Sequence, residues 1–243
     1  MIPLPGIPEL EEGDDLAAEL AVAIARAGGL EPGDVVVVAQ KAVSKVEGRV
    51  VELVDVEPTA RAFELAGPDG DPRHVQVILD EAREVVRSRP PLLIAETRHG
   101  FVCASAGVDA SNARGPDTVV LLPLDPDASA RRLRDELSAA TGIAAAVVVS
   151  DSFGRAWRQG TTDVALGVAG MAAILDLRGE IDAAGRVLHS TQIAVADEVA
   201  GAAELVMGKA RGIPAAIVRG VDLPVGGDGA AALVMPRDRD LFR

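Results

Sequence analysis

This 243-residue chain has no tyrosine, a single cysteine, one tryptophan and only three lysines. One cysteine (Cys103) excludes an internal disulfide framework and suits a reducing compartment, so the expected location is the cytoplasm. No apolar run nears the roughly 20 residues that cross a bilayer; stretches such as Val35–Ala39 and Ile143–Val149 stop far short. The opening MIPLPGIPELEEGDD has neither a basic segment nor an apolar stretch, so it does not read as an export signal. Positive charge is scarce as well. With 24 Lys and Arg against 37 Asp and Glu, the formal charge is −13. That argues against nucleic acid or a membrane surface as a partner, since both need a basic face. An anionic ligand would need local cations, either side chains or bound metal ions.

Hydrophobic residues at 49% and charged residues at 25% suffice for a real core in one large domain or two small ones. Gly13-Asp14-Asp15 caps an amphipathic helix to about Ala27, and Val35–Ala39 is a buried strand. A strand near Arg49–Val54 and a short helix at Thr59–Ala66 follow. Asp71-Pro72 starts a helix whose stripe of Val75, Ile78, Leu79, Ala82 and Val86 is read as core. Leu92–Thr97, Phe101–Ala104 and Val119–Leu122 read as strands, and Asp125-Pro126 opens a helix ending at Gly142. Ala144–Val149 is a strand with Asp151 directly at its end, followed by a mixed segment with no assigned element. A helix at Val195–Met207 and a strand at Ala215–Val218 close the pattern. Helices and strands alternate irregularly, which favours an α+β (mixed α/β) architecture over a regular doubly wound sheet.

The segment His99–Asn112, HGFVCASAGVDASN, gathers a His, the Cys, two Ser, an Asp and the sole Asn. Nucleophilic chemistry fits it poorly: Cys103 has apolar neighbours, and no Ser sits in a G-x-S-x-G elbow. Zinc fits no better, because His74, His99 and His189 are scattered without Cys pairs. Hard cations fit best. Asp109 lies in a polar loop, and Asp151 leaves a buried strand next to the hydroxyl of Ser152. The phosphate loop of common NTPases is absent. QKAVSK nevertheless follows the valine strand, so Lys41, Ser44 and Lys45 emerge where ligands of open sheets bind. Residue chemistry alone points to metal-dependent work on phosphate, with the substrate unspecified.

Taken in order, GIPEL, GDDLA, VVVVAQKAVSKVEGR, DPRHVQVIL, ETRHGFVCASAGVDASN, LLPLDPDASA, VVVSDSFGRAWRQG, DLRGEIDAAGR and ADEVAGAAELVMGKARGIPAAIVRG resemble the coenzyme F420-0:L-glutamate ligase (F420 γ-glutamyl ligase) family across nearly the whole chain. The resemblance implies a two-part α+β fold, an intertwined homodimer, and one catalytic region over residues 1–243 without a fused flavin reductase domain. It implies a GTP-dependent ligase that joins L-glutamate to the lactyl carboxylate of F420-0, or of its dehydro form, through an acyl phosphate. Two Mg²⁺ or Mn²⁺ ions and K⁺ are the implied cofactors. Carried over motif by motif, Asp109 and Asp151 become catalytic metal ligands together with Ser152, which stands where the family usually has Thr. Ile7, Pro8, Glu9, Leu10, Gln40, Lys45, Asn112, Met207, Gly208 and Lys209 become nucleotide contacts. Lys209 stands where some members carry an acidic metal ligand, Ser105 replaces the more usual Asn, and Ala156 replaces a Pro. The competing readings are a metal-dependent ligase or phosphotransferase acting on another carboxylate, and a non-catalytic nucleotide- or metal-binding module.

Overall fold

The structure, a computed structural model, describes residues 1–111, 113, 115–224, 226–227 and 229–242. Asn112, assigned above to nucleotide, lies outside them.

The chain begins with β1 (Ile2–Pro3) and α1 (Leu16–Arg26), whose N-cap Asp15 accepts the Ala18 amide at 2.9 Å. Next come β2 (Val35–Ala39), which passes without a loop into α2 (Gln40–Val46), and β3 (Val50–Glu52). Helices α3 (Ala60–Ala66) and α4 (Pro72–Glu81) are capped by Thr59 and Asp71. Then β4 (Ala82–Arg89), β5 (Leu92–Thr97) and β6 (Val102–Ala104) form an antiparallel sheet, and β7 (Thr118–Val120) pairs with β3. The long helix α5 (Pro126–Thr141) ends on left-handed Gly142. Strands β8 (Ala146–Arg155) and β9 (Arg158–Ala169) make a hairpin. After β10 (Leu175–Asp176), β11 (Gln192–Ile193) and α6 (Val195–Met207) comes β12 (Ala215–Val218), followed by two short 3-10 turns at Ala230–Leu233 and Arg237–Arg239.

The main sheet runs β1-β12-β2-β8-β9, and only β2 and β8 pair in parallel. Side chains alternate across a strand, so the valines of β2 serve two cores. Val36 and Val38 pack with Leu20, Ile24, Leu133 and Leu137 on the α1–α5 face. Val35 and Val37 pack with Val199, Ala203 and Met207 on the α6 face. Coverage on both sides is why this strand reads as an unbroken apolar run, each valine contributing roughly 1.5–3 kcal/mol over exposure. A third apolar cluster, including Leu53, Val75, Ile78, Leu93 and Val119, is drawn from residues 53–121. The fold is α+β, as expected.

Two expectations need correction. The stripe ending at Val86 is not one helix. Helix α4 stops at Glu81, and residues 82–89 turn into β4, paired with β5 around Pro90-Pro91. A spacing of four between Ala82 and Val86 fits helix and strand alike, and the β-branched Val85-Val86 pair beside the prolines favours the strand. Nor does the strand before Asp151 end there. It continues to Arg155 and returns as twelve residues of β9, which the sequence reading left unassigned. The two-residue turn between them, Ala156-Trp157, has no glycine or asparagine to signal it.

Two contacts lock this sheet to its surroundings. A Cβ on Gly167 would lie 2.1 Å from the Pro126 carbonyl oxygen, so only glycine lets the start of α5 rest on β9. At the head of β2, Arg219 donates Nε and one terminal nitrogen to the two oxygens of buried Asp34, both at 2.8 Å, and also reaches the Gly29 carbonyl. Burial pushes the Asp34 carboxyl up, but Arg219 and the Glu31 amide outweigh it and hold it below its ordinary value. A lowered carboxyl adds stability that is complete above the unfolded-state value and disappears as pH falls through the folded one. Arg219→Ala therefore lowers the thermal midpoint by several degrees at pH 7. In a calorimetric pH series the gap from wild type narrows as pH falls below the ordinary aspartate range and closes only once the lowered Asp34 carboxyl of the folded wild type is itself protonated.

Candidate functional site

Parallel pairing sets Ala39 opposite Ser150. The residues that follow, Gln40 and Lys41 at the start of α2 and Asp151 on β8, therefore emerge side by side at the carboxyl edge of the parallel pair, where open sheets bind ligands. Because α2 starts at Gln40, Lys41 and Lys45 are four residues apart on one helical face, while Ser44 is fully buried. A cleft of about 390 Å³ opens at this edge. Its walls include Ile7, Pro8, Glu9, Leu10, Gln40, Lys45, Asp151, Ser152, Met207, Gly208 and Lys209. Eleven carried-over positions, spread from residue 7 to residue 209, thus meet around one cavity.

Asp109 joins them through a lysine. It is pinned to the β7 edge by two backbone hydrogen bonds with Val120, and its carboxylate accepts the Lys41 ammonium at 2.5 Å and the Ser111 amide at 2.7 Å. Lys209 Nζ stands 3.6 Å from the same carboxylate. Burial alone would push Asp109 up, yet Lys41 and Ser111 hold it at about 2. Asp151 behaves in the opposite way. Burial pushes it up to about 6; the charge of Lys41 opposes this, and the carboxylates of Asp109 and Asp163 add to it. Two neighbouring carboxyl groups driven apart around one ammonium mark a site built for charge.

Two assignments take a different shape from the one expected. Ser152 does not stand free: its hydroxyl donates to Asp163 at 2.6 Å, and Ser150 donates to the other oxygen of Asp163 at 2.9 Å. Gln40 is buried, with its amide donating to Ser44 Oγ and to the Leu121 carbonyl, so it braces α2 against the β7 segment and forms part of the cleft wall. Lys45 pairs with Glu9. Cys103 is buried, and burial pushes its thiol up to about 12, in keeping with an inert core position.

Sequence reasoning missed Asp163, Ser150 and Glu204. Asp163 faces Ser152 across the hairpin, so recognising β9 was the only route to it. Glu204 on α6 lines the cleft and accepts the Lys209 amide at 3.1 Å; burial and then the Asp163 charge push its carboxyl up. Among the described residues, no three His, Cys, Asp or Glu side chains converge as a preassembled metal cluster. The donors present are nevertheless all hard oxygens, which fits a cation that takes one or two carboxylates and completes its shell with substrate phosphate. Removing the hydroxyl in Ser150→Ala takes one of two hydroxyl donors from a buried carboxylate. A loss of about 2 kcal/mol is expected in urea unfolding.

Comparison with known proteins gives the family. The profile of the F420-0:Gamma-glutamyl ligase family matches residues 6–220. The coenzyme F420:L-glutamate ligase of Methanocaldococcus jannaschii is 45% identical over 217 residues, covering 88% of this chain and 86% of its own. Those of Methanothermobacter thermautotrophicus and Methanopyrus kandleri are 43% and 45% identical, covering 100% and 99% of this chain and 98% and 96% of their own. Match and relatives span the strands, helices and loops that build the cleft, so the chain belongs to the F420-0:γ-glutamyl ligase family of enzymes.

Proposed function

We propose that this protein ligates L-glutamate to coenzyme F420-0, or to its dehydro form, at the expense of GTP and through an acyl phosphate. The observation that carries the reading is the meeting of Lys41 and Lys45 with Asp109 and Asp151 at the carboxyl edge of the parallel strand pair. The relatives are named as coenzyme F420:L-glutamate ligases, which supports the substrate pair.

A carboxylate does not react with an amine until one of its oxygens becomes a leaving group. Transfer of the γ-phosphoryl group from GTP to the lactyl carboxylate supplies that leaving group and releases GDP. The amine of glutamate then attacks the carbonyl carbon, the C–O bond to phosphate breaks, and inorganic phosphate departs. No covalent bond to the protein is required; positioning and charge neutralisation carry the reaction. Mg²⁺ or Mn²⁺, when bound, withdraws charge from the phosphate oxygens. Asp109, Asp151 and Ser152 are the residues that would hold such ions, and K⁺ is the proposed monovalent helper.

The side chains divide the remaining work. Lys41, now paired to Asp109, supplies a compact positive charge that can turn to a phosphate oxygen when the carboxylate gains another partner. The Ile7–Leu10 segment and Met207–Lys209 border the same cleft and hold the nucleotide. Glu9 keeps Lys45 extended along the wall. The working protein is proposed to be a homodimer, with residues 1–243 as one catalytic region.

Mass spectrometry after incubation with F420-0, L-glutamate, GTP and Mn²⁺ tests this directly. A product heavier by one or more glutamyl residues is expected. Asp109→Asn and Asp151→Asn should each lower its rate of formation by about 100-fold or more. Folded wild-type protein that binds GTP and forms no product would overturn the reading.

A further inference from the structure

The β8–β9 hairpin carries a feature that the ligation chemistry leaves unused. It holds Asp151 in the cleft and ends in the turn Arg155-Ala156-Trp157-Arg158. Trp157 is the sole tryptophan of the chain, and it is 81% exposed. Its backbone is left-handed, with φ at +57°, a conformation disfavoured for bulky residues that persists where the surroundings over-determine it. The ring is met on one side by Phe242, with centroids 4.9 Å apart and planes tilted by 52°. Two arginines flank it. Among the described residues neither Arg155 nor Arg158 makes an ion pair, in a chain of net charge −13 where guanidinium groups commonly find carboxylates. Arg155 has only a long contact to the Gln159 carbonyl, at 3.4 Å.

The spacing ties this tip to the cleft. Trp157 stands six positions after Asp151 along the hairpin, a reach of about 20 Å at most. Side chains of alternate residues share a face, so Asp151 and Phe153 lie along one side of β8, and Arg155 follows them past a register shift in the β8–β9 ladder. Phe153 meets Phe101 edge-on on that track, with centroids 6.4 Å apart. Carboxylate, aromatic ring, guanidinium and exposed indole therefore follow one another outward from the reacting centre.

We propose that Trp157, flanked by Arg155 and Arg158, is the binding platform for the flat heteroaromatic end of the acceptor, the indole stacking on the ring system and the arginines receiving its anionic arm. The proposal rests on the reading above. In F420-0 the reactive carboxylate ends a lactyl phosphodiester arm remote from the deazaflavin ring. A carboxylate held beside Asp151 thus needs a distant flat surface and a cation between, and the hairpin presents both. Stacking on an indole is tolerant of the ring's substituents, whereas the arginines select for the phosphodiester.

With one tryptophan and no tyrosine, intrinsic fluorescence reports Trp157 alone. The test titrates the wild-type protein with F420-0, without GTP or glutamate, and measures steady-state kinetics of Trp157→Ala, Trp157→Phe and Arg155→Ala/Arg158→Ala. Saturable quenching of the indole is expected. Trp157→Ala and the double arginine variant should each raise KM for F420-0 by about tenfold or more, with KM for GTP unchanged and kcat at saturating acceptor within about twofold. Trp157→Phe should restore most of the lost affinity. Product formation with no quenching, or with an unaltered KM for F420-0 in Trp157→Ala, overturns the platform while leaving the ligase reading intact. Emission that is already blue-shifted and concentration-dependent in the free protein would mean that a second copy covers the ring, which also overturns it. Saturable quenching without any product would instead defeat the ligase reading and leave a binding surface for the acceptor.

Discussion

Parallel pairing of Val35–Ala39 with Ala146–Ser150 is the constraint from which the site follows. Along the paired length only Ser150, at its very end, offers a side-chain polar group; the register brings the rest together. With Ala39 opposite Ser150, the chain enters a helix on one side and continues as a hairpin on the other, and the two polar continuations meet at one edge. A slip of one residue would turn Asp151 to the opposite face of the sheet. Valines buried on both faces resist that slip, because each has a place in one of two separate cores. The Asp34–Arg219 clamp anchors the entry to β2, and the contact between Gly167 and α5 anchors β9.

Charge is the second theme. A protein with 37 acidic residues whose proposed substrates are all anions must concentrate its few cations. Two of the three lysines stand on α2, and the third approaches Asp109 from the loop after α6. Lys41 sits between a carboxylate held at about 2 and another pushed up to about 6, which keeps strong negative potential close to positive charge without neutralising all of it. Such a balance suits a site that takes up cations and phosphate together. Lys209, 3.6 Å from the Asp109 carboxylate, adds to the positive charge gathered there.

Much of this was legible in the sequence, and the gaps have identifiable causes. Helix starts were written in local chemistry: Asp15, Thr59, Asp71 and Asp125 each cap the helix they precede. The valine strands declared themselves by composition. Failure came where one pattern serves two structures, as at Ala82–Val86, and where a turn lacks turn residues, as at Ala156-Trp157. Missing that turn hid β9, and with it Asp163, whose link to Ser152 exists only across the hairpin. The cleft residues before residue 11 and after residue 206 were found by their motifs, since nothing in local periodicity brings Ile7 near Met207. The pairing of Lys41 with Asp109 spans 68 positions and belongs to tertiary structure alone.

The most direct measurement is anomalous diffraction from crystals grown with Mn²⁺ and a non-hydrolysable GTP analogue. The expected result is Mn²⁺ bound by the carboxylates of Asp109 and Asp151 at the carboxyl edge of the parallel strand pair, with the phosphates completing its coordination and Lys41 moved from Asp109 to a phosphate oxygen. Manganese and nucleotide found elsewhere, with the Lys41–Asp109 pair intact, would contradict it.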